Sequence, residues 1–222
     1  MANDNFEIMQ EWLQFWRNSD IFSISTRGVT TDTETGTFAS DSSQLINRTN
    51  IKNIRSVVVA SVTLTYGEEY TVDFTFDDSG TIKTKISFVS AQTGDFTITY
   101  DYGTDKIFPD WPRNDLSISA FPRITCGVGE ESNEPLGFGG TNLTAETATI
   151  PLTLTIHSSK IRQVEELMAD AKPLLKASAK DFFFFGFTRR TGSSILIEPS
   201  PEEKTKIFHK TLNFESINNV EK

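Results

Sequence analysis

The sequence predicts an α+β protein: a mixed β-sheet packed by helices, with an additional antiparallel β-hairpin or sandwich module. Three observations lead there. Apolar residues recur at helical spacing near the N-terminus and again at 159–175. Strict apolar/polar alternation fills much of 57–102 and all of 150–156. Turn signals rich in Gly, Asp and Pro separate the alternating runs.

In order along the chain, Asp4 to Arg17 predicts an amphipathic helix that Asp4 can cap, with Glu7 three residues on and Phe6, Met9, Leu13 and Trp16 along one stripe. Ile8, Trp12 and Phe15 widen that stripe. The helix is therefore either sunk between layers or presents Trp12 and Phe15 to a partner. Residues 19–53, rich in Ser, Thr, Asp and Asn, are expected to be mostly irregular, with a short strand around Ile21 and Ile24. From Val57 the period is two: Val62 and Leu64, then Tyr70, Val72, Phe74 and Phe76, then Ile82 to Phe88, then Phe96 to Tyr102. Hairpin turns are expected at Tyr66-Gly67-Glu68, at Asp77 to Gly80 and at Gln92 to Asp95.

Beyond the proline-rich stretch 108–113, a strand is expected from Leu116 to about Val128, with Pro122 confined to an edge or bulge. A polar connection follows over 129–148, and then a clear strand, Ile150 to Ile156. Ser158 or Ser159 caps a helix carrying Ile161, Val164, Leu167 or Met168, Ala171 and Leu174 or Leu175, which Pro173 should kink or end. Strands are expected at Phe182 to Thr188, at Ser194 to Glu198 and from Ile207 to Phe214. The run Phe182 to Phe185 needs cover on both faces, from this chain or from a neighbouring subunit. Three segments result: 1–55, an N-terminal helix and irregular part of the core domain; 56–105, an inserted β-rich module; and 106–222, the α+β core.

Composition narrows function. A net charge of −9 argues against a protein whose main work is coating nucleic acid. One cysteine, Cys126, excludes an internal disulfide, and no stretch has the apolar length of a membrane span or the pattern of a signal peptide. The two histidines, His157 and His209, each sit at a strand position without a second ligand at useful spacing. Asp101, Asp105, Asp110 and Asp115 lack the spacing of a calcium loop and are expected on a solvated acidic face. Gly137, Gly139 and Gly140 are not followed by the Lys-Ser/Thr and helix of a phosphate loop; a partner-binding loop exposing Leu136 and Phe138 fits them better. No catalytic, cofactor-binding or metal-binding set emerges, so a non-enzymatic protein without a cofactor is expected.

The order of features from Tyr102 onward resembles tail terminator, or tail completion, proteins of long-tailed bacterial and archaeal viruses. It is carried by Tyr102-Gly103, Ile107-Phe108-Pro109-Asp110-Trp111-Pro112-Arg113, Phe121-Pro122-Arg123-Ile124, Leu136-Gly137-Phe138-Gly139-Gly140, the 150–156 strand and the helix from Ser159 to Leu167. The resemblance implies a homo-oligomeric ring, a hexamer, assembled in the host cytoplasm and residing in the virion neck. Such a ring caps the tail tube, meets the head-tail connector and lets DNA pass its lumen without sequence-specific binding. It also implies that the 130–148 loop reaches toward a neighbour or the tube. Two alternatives stay open: a head-tail adaptor or tail-tube protein, and a carbohydrate-binding or adhesin module suggested by the aromatic strands 70–102 near Trp111.

Overall fold

The computed structural model describes residues 5–19, 21–109, 121–135, 145–177, 187–199 and 206–221. The fold is α+β, with two β-sheets and helices packed on one of them. The chain divides into two compact units, one built from 1–21 and 106–222, the other from 22–105.

In the first unit a six-stranded mixed sheet runs in the order β10-β11-β9-β7-β6, with β8 also on β9. Its strands are β6 (Ile107–Pro109), β7 (Arg123–Val128), β8 (Ser132–Pro135), β9 (Ala145–Ser158), β10 (Phe187–Pro199) and β11 (Lys206–Glu221). Only β6 and β7 pair in parallel among these described strands. Helix α1 (Asn5–Asn18) packs on β6 and β7, and α3 (Ile161–Ala177) on β9 and β11.

Helix α1 is anchored by its aromatic residues. Trp12 is fully buried, donates its indole N–H to the Thr153 carbonyl at 3.0 Å, and meets the Phe214 ring edge-on at 5.7 Å. Arg17 donates to the Ile107 carbonyl at 3.0 Å, fixing the helix against β6. Ser158 starts α3: its Oγ accepts the Lys160 N–H at 3.1 Å and donates to the Gln163 Oε1 at 2.6 Å. Contrary to the sequence expectation, α3 runs through Pro173. The proline lies on the solvent side, as does Ala169, whose carbonyl loses its helical donor. Water can satisfy that carbonyl, while buried Ala171 and Leu175 hold the last turn down.

The second unit is a five-stranded antiparallel sheet made by β1 (Val29–Ile46), β2 (Ile51–Val59), β3 (Val62–Thr63), β4 (Tyr70–Asp78) and β5 (Thr81–Gly103). Strand β5 pairs with β1, β2 and β4 and is the spine of the unit. The segment expected to be irregular is thus mostly strand. Its many Thr residues supply β-branched stiffness, and three of its few apolar ones, Val29, Phe38 and Ile46, are buried. The short strand expected near Ile24 is instead one helical turn, α2 (Ile24–Arg27), which Ser23 caps through the Thr26 N–H at 3.2 Å and which Gly28 ends at φ +76°.

The turn expected at Gln92 to Asp95 is not a reversal. Those residues lie inside β5, and β1 runs beside them. The chain bends there instead: from Asp41↔Gln92 to Ser43↔Ser87, β1 advances two residues while β5 advances five. The aromatic core shows the size of the bend. Phe88 and Phe96 are eight residues apart on β5, roughly 26 Å in a straight strand. Both nevertheless meet Phe38, at 5.2 Å and 4.2 Å between ring centroids. The two arms of β5 therefore close on one core that includes Ile54, Val57, Ile86, Ile98 and Tyr100. Gly36 makes room for it, since a Cβ at that position would stand 2.7 Å from the Phe96 ring.

A second device in this unit is polar. Arg27 is 1% exposed and forms a bidentate pair with Asp105 at 3.1 and 3.0 Å. Its remaining terminal nitrogen donates to Asp101 at 2.9 Å, while Arg55 and Thr31 each donate to the other Asp101 oxygen at 2.7 Å. Burial alone would push the Asp101 carboxyl up. The hydrogen bonds from Arg55 and Thr31, and the charges of Arg27 and Arg55, outweigh that and hold it below the usual carboxylate range.

The remaining sequence expectations sort simply. Strand β7 begins at Arg123, and residues 110–120 lie outside the described residues. The 129–148 connection contains β8 and the start of β9, with 136–144 outside the described residues. Of the strands expected at 182–188 and 194–198, the described part forms one strand, β10, with a bulge between Arg190 and Gly192; the Phe182 to Phe185 run lies outside.

Two substitutions test these devices by urea unfolding. Gly36→Ala should cost about 1–3 kcal/mol by displacing the Phe96 ring, and unchanged stability would mean the ring swings aside freely. Arg27→Met should cost about 3–5 kcal/mol, because Asp105 then stays buried without this cation and Asp101 keeps only Arg55; a loss under about 1 kcal/mol would show that water enters in its place.

Candidate functional site

The six-stranded sheet has two unlike faces, and register assigns each residue to one of them. On one face the cross-strand rows are Ile124–Ile156–Lys210, Cys126–Leu154–Leu212 and Val128–Leu152–Phe214. Both helices cover this face: Trp12 of α1 contacts Phe214, and Glu165 of α3 pairs with Lys210 at 2.8 Å. On the opposite face the rows are Arg123–His157–His209, Thr125–Thr155–Thr211, Gly127–Thr153–Asn213 and Pro151–Glu215–Arg189. Among the described residues no helix packs there. The threonine row is internally satisfied, Thr155 and Thr211 sharing a hydroxyl hydrogen bond of 2.9 Å.

Two groups of charged or titratable side chains on this face lie three rows apart. In one, Arg189 pairs with Glu215 at 2.9 Å. In the other stand Arg123, His157 and His209, side by side on β7, β9 and β11. The imidazole rings meet edge-on at 5.4 Å, and His157 Nε2 lies 3.1 Å from the Thr125 hydroxyl. Burial, then the charges of Arg123 and His209, push His157 down to about 3, so it is neutral at physiological pH. The Arg123 guanidinium lies over the Phe121 ring at 5.0 Å, and burial lowers its pKa without making it lose its proton.

The other sequence-selected residues fall elsewhere. Leu136, Gly137, Phe138, Gly139 and Gly140 lie outside the described residues. Trp12 is inside the core, and Phe15, half-buried, stacks on Trp12 at 6.1 Å and meets Trp16 at 4.9 Å. Cys126 is a buried free thiol. Asp101 and Asp105, expected on a solvated acidic face, are buried against Arg27, which only the folded chain brings to them; Asp110 and Asp115 lie outside the described residues. The aromatic rings of Tyr70, Phe96 and Tyr100 are core residues. Sequence spacing left the histidines apart and did not single out Arg123 at all. Only the register of three strands brings these residues together, and that register is set by long-range pairing.

No group of three or more His, Cys, Asp or Glu side chains able to hold a metal ion occurs among the described residues, and no helix among them is long and apolar enough to cross a membrane. No known family model matches the chain, and no curated protein matches its sequence.

The depressed His157 predicts a pH dependence. Its ordinary pKa is 6.5 and its folded value about 3. Between these values the unfolded chain binds a proton that the native state refuses, so stability falls as pH drops from 6.5 toward 3. In His157→Gln the slope of unfolding free energy over the upper part of this window, above the carboxylate range, should be shallower. Equal slopes would show that His157 protonates freely in the fold.

Proposed function

We propose that the protein is a non-enzymatic structural component that works by assembly with copies of itself, as the end ring of a viral tail. The observation that carries this reading is the two-faced sheet: both helices cover one face, while the other is broad, Thr-rich and free of helix among the described residues. A surface of that kind suits packing of subunit on subunit better than enclosure of a small substrate. The order of features from Tyr102 to Leu167, with its resemblance to tail terminator proteins, gives the assembly its identity. On this reading the ring is a hexamer that caps the tail tube, meets the head-side connector and passes DNA through its lumen. The 22–105 unit would then be a β-hairpin or sandwich module added to an α+β core, the role the sequence gives to 56–105. The acidic balance of the chain favours passage of DNA over its retention.

Light scattering tests the reading. The wild-type chain should elute as a multiple of the 24.9 kDa monomer, and Thr155→Lys, which places a charge in the middle of the open face, should return it to monomer with its unfolding transition retained. A wild-type monomer that also fails to ring on isolated tail tubes, or a Thr155→Lys ring of unchanged mass, would refute it.

A further inference from the structure

Among the described residues nothing compensates the charge of Arg123. Its side chain has no ion pair and no hydrogen bond among the described residues, and its Nε is closed to solvent without an acceptor. The Nε2 of His209, one strand further along the row, is likewise buried and unsatisfied. A guanidinium does not lose its proton, so partial burial without an anion leaves a desolvated charge uncompensated.

The surroundings point to what would compensate it. Neighbouring strands lie about 4.8 Å apart, so Arg123, His157 and His209 form a short row of nitrogen donors within reach of one small ligand. Lys106, whose carbonyl accepts the Ile124 N–H, precedes β6 at the same end and is placed beside Arg123 by the β6–β7 register. By register this face carries Glu215 three rows away, roughly 20 Å along the strand, where Arg189 holds it, and Glu198 of β10 opposite Ile207, in the row beyond His209 and separated from β7 by β9 and β11. A metal cation would meet the fixed charge of Arg123 and only two imidazoles, one of them already against the Thr125 hydroxyl.

We propose that Arg123, His157 and His209 form a binding site for a single small oxyanion of the phosphate class. Arg123 supplies the permanent charge and the forked N–H donors, and each imidazole supplies one N–H. The site lies within one subunit and does not rest on the assembly reading. An anion there offsets the burial and the Arg123 charge that keep His157 neutral, so binding strengthens as pH falls.

The chain has only two histidines and both belong to the site, so the imidazole proton NMR signals report on it directly. Inorganic phosphate, titrated at about pH 6 against chloride of equal ionic strength, should move both histidine signals saturably. Arg123→Gln should weaken that binding by roughly tenfold or more, while Arg189→Gln, three rows away on the same face, should leave it unchanged. Were Arg123→Gln to lose its fold, Arg123→Lys, which keeps the charge but not the fork, should show intermediate affinity. Histidine signals that respond equally to phosphate and chloride, or a phosphate response that no Arg123 variant alters, would overturn the proposal.

Discussion

The two-residue side-chain period of β9 and β11 is the constraint on which the six-stranded unit depends. Ile150, Leu152, Leu154 and Ile156 must point one way if Thr153, Thr155 and His157 point the other. A slip of one residue against β11 would turn Leu212 and Phe214 out of the core and bring Thr211 and Asn213 in, so the register is fixed by burial. Once it is fixed, the positions of both helices follow, since their apolar stripes can be buried only against the Ile/Leu/Phe face. The same constraint creates the open face: residues that the core rejects are collected there in cross-strand rows. Lys210 is a charged residue on the core side, and it is tolerated because Glu165 of α3 meets its ammonium.

The 22–105 unit solves a different problem, that of folding a segment with few apolar residues in its first strand. It does so by geometry. Bending β5 brings Phe88 and Phe96 onto Phe38, so one aromatic side chain of β1 serves both arms of the sheet. The bend in turn requires Gly36, because the Phe96 ring lies where any side chain at that position would be. Near the two ends of this unit, the Arg27 cluster ties the turn before β1 to Asp101 of β5 and to Asp105 just beyond it. Two guanidinium groups face two carboxylates there, with the Arg27, Arg55 and Thr31 donors directed at carboxylate oxygens, which is the condition under which buried charge is tolerated.

How much of this was legible in the sequence depended on whether the signal was local. The α1 and α3 helices and the Ile150 to Ile156 strand were legible because each carries its whole pattern within a few residues. Strand β1 was not, since its Thr-rich sequence has only three buried apolar residues and the composition resembles that of a loop. The bend in β5 produced a turn signal at Gln92 to Asp95, yet whether a glycine-bearing segment reverses or merely bends depends on the partner strand, and β1 was the strand the pattern had concealed. The candidate site failed to show for a stronger reason. Arg123 and His157 are 34 residues apart and His157 and His209 are 52 apart, and nothing near any of them announces the others. Only the register of three strands puts them in one row.

Arg27 and Arg123 make an instructive pair, because the same physical cost is met in one case and left open in the other. Arg27 is buried and Arg123 half-buried, and neither guanidinium can give up its proton. Arg27 is matched by Asp101 and Asp105 from its own unit, so it is complete within the chain and belongs to the architecture. Among the described residues Arg123 stands beside two imidazoles and an aromatic ring, none of which carries the opposite charge. An acidic side chain at position 157 or 209 would have given Arg123 a cross-strand partner directly opposite or one strand further on. The sequence places histidine at both, the residue whose charge can rise to meet an anion and fall away when the anion leaves. An arginine completed by its own chain fixes a fold. An arginine left beside two titratable imidazoles leaves room for a negative charge from outside the chain.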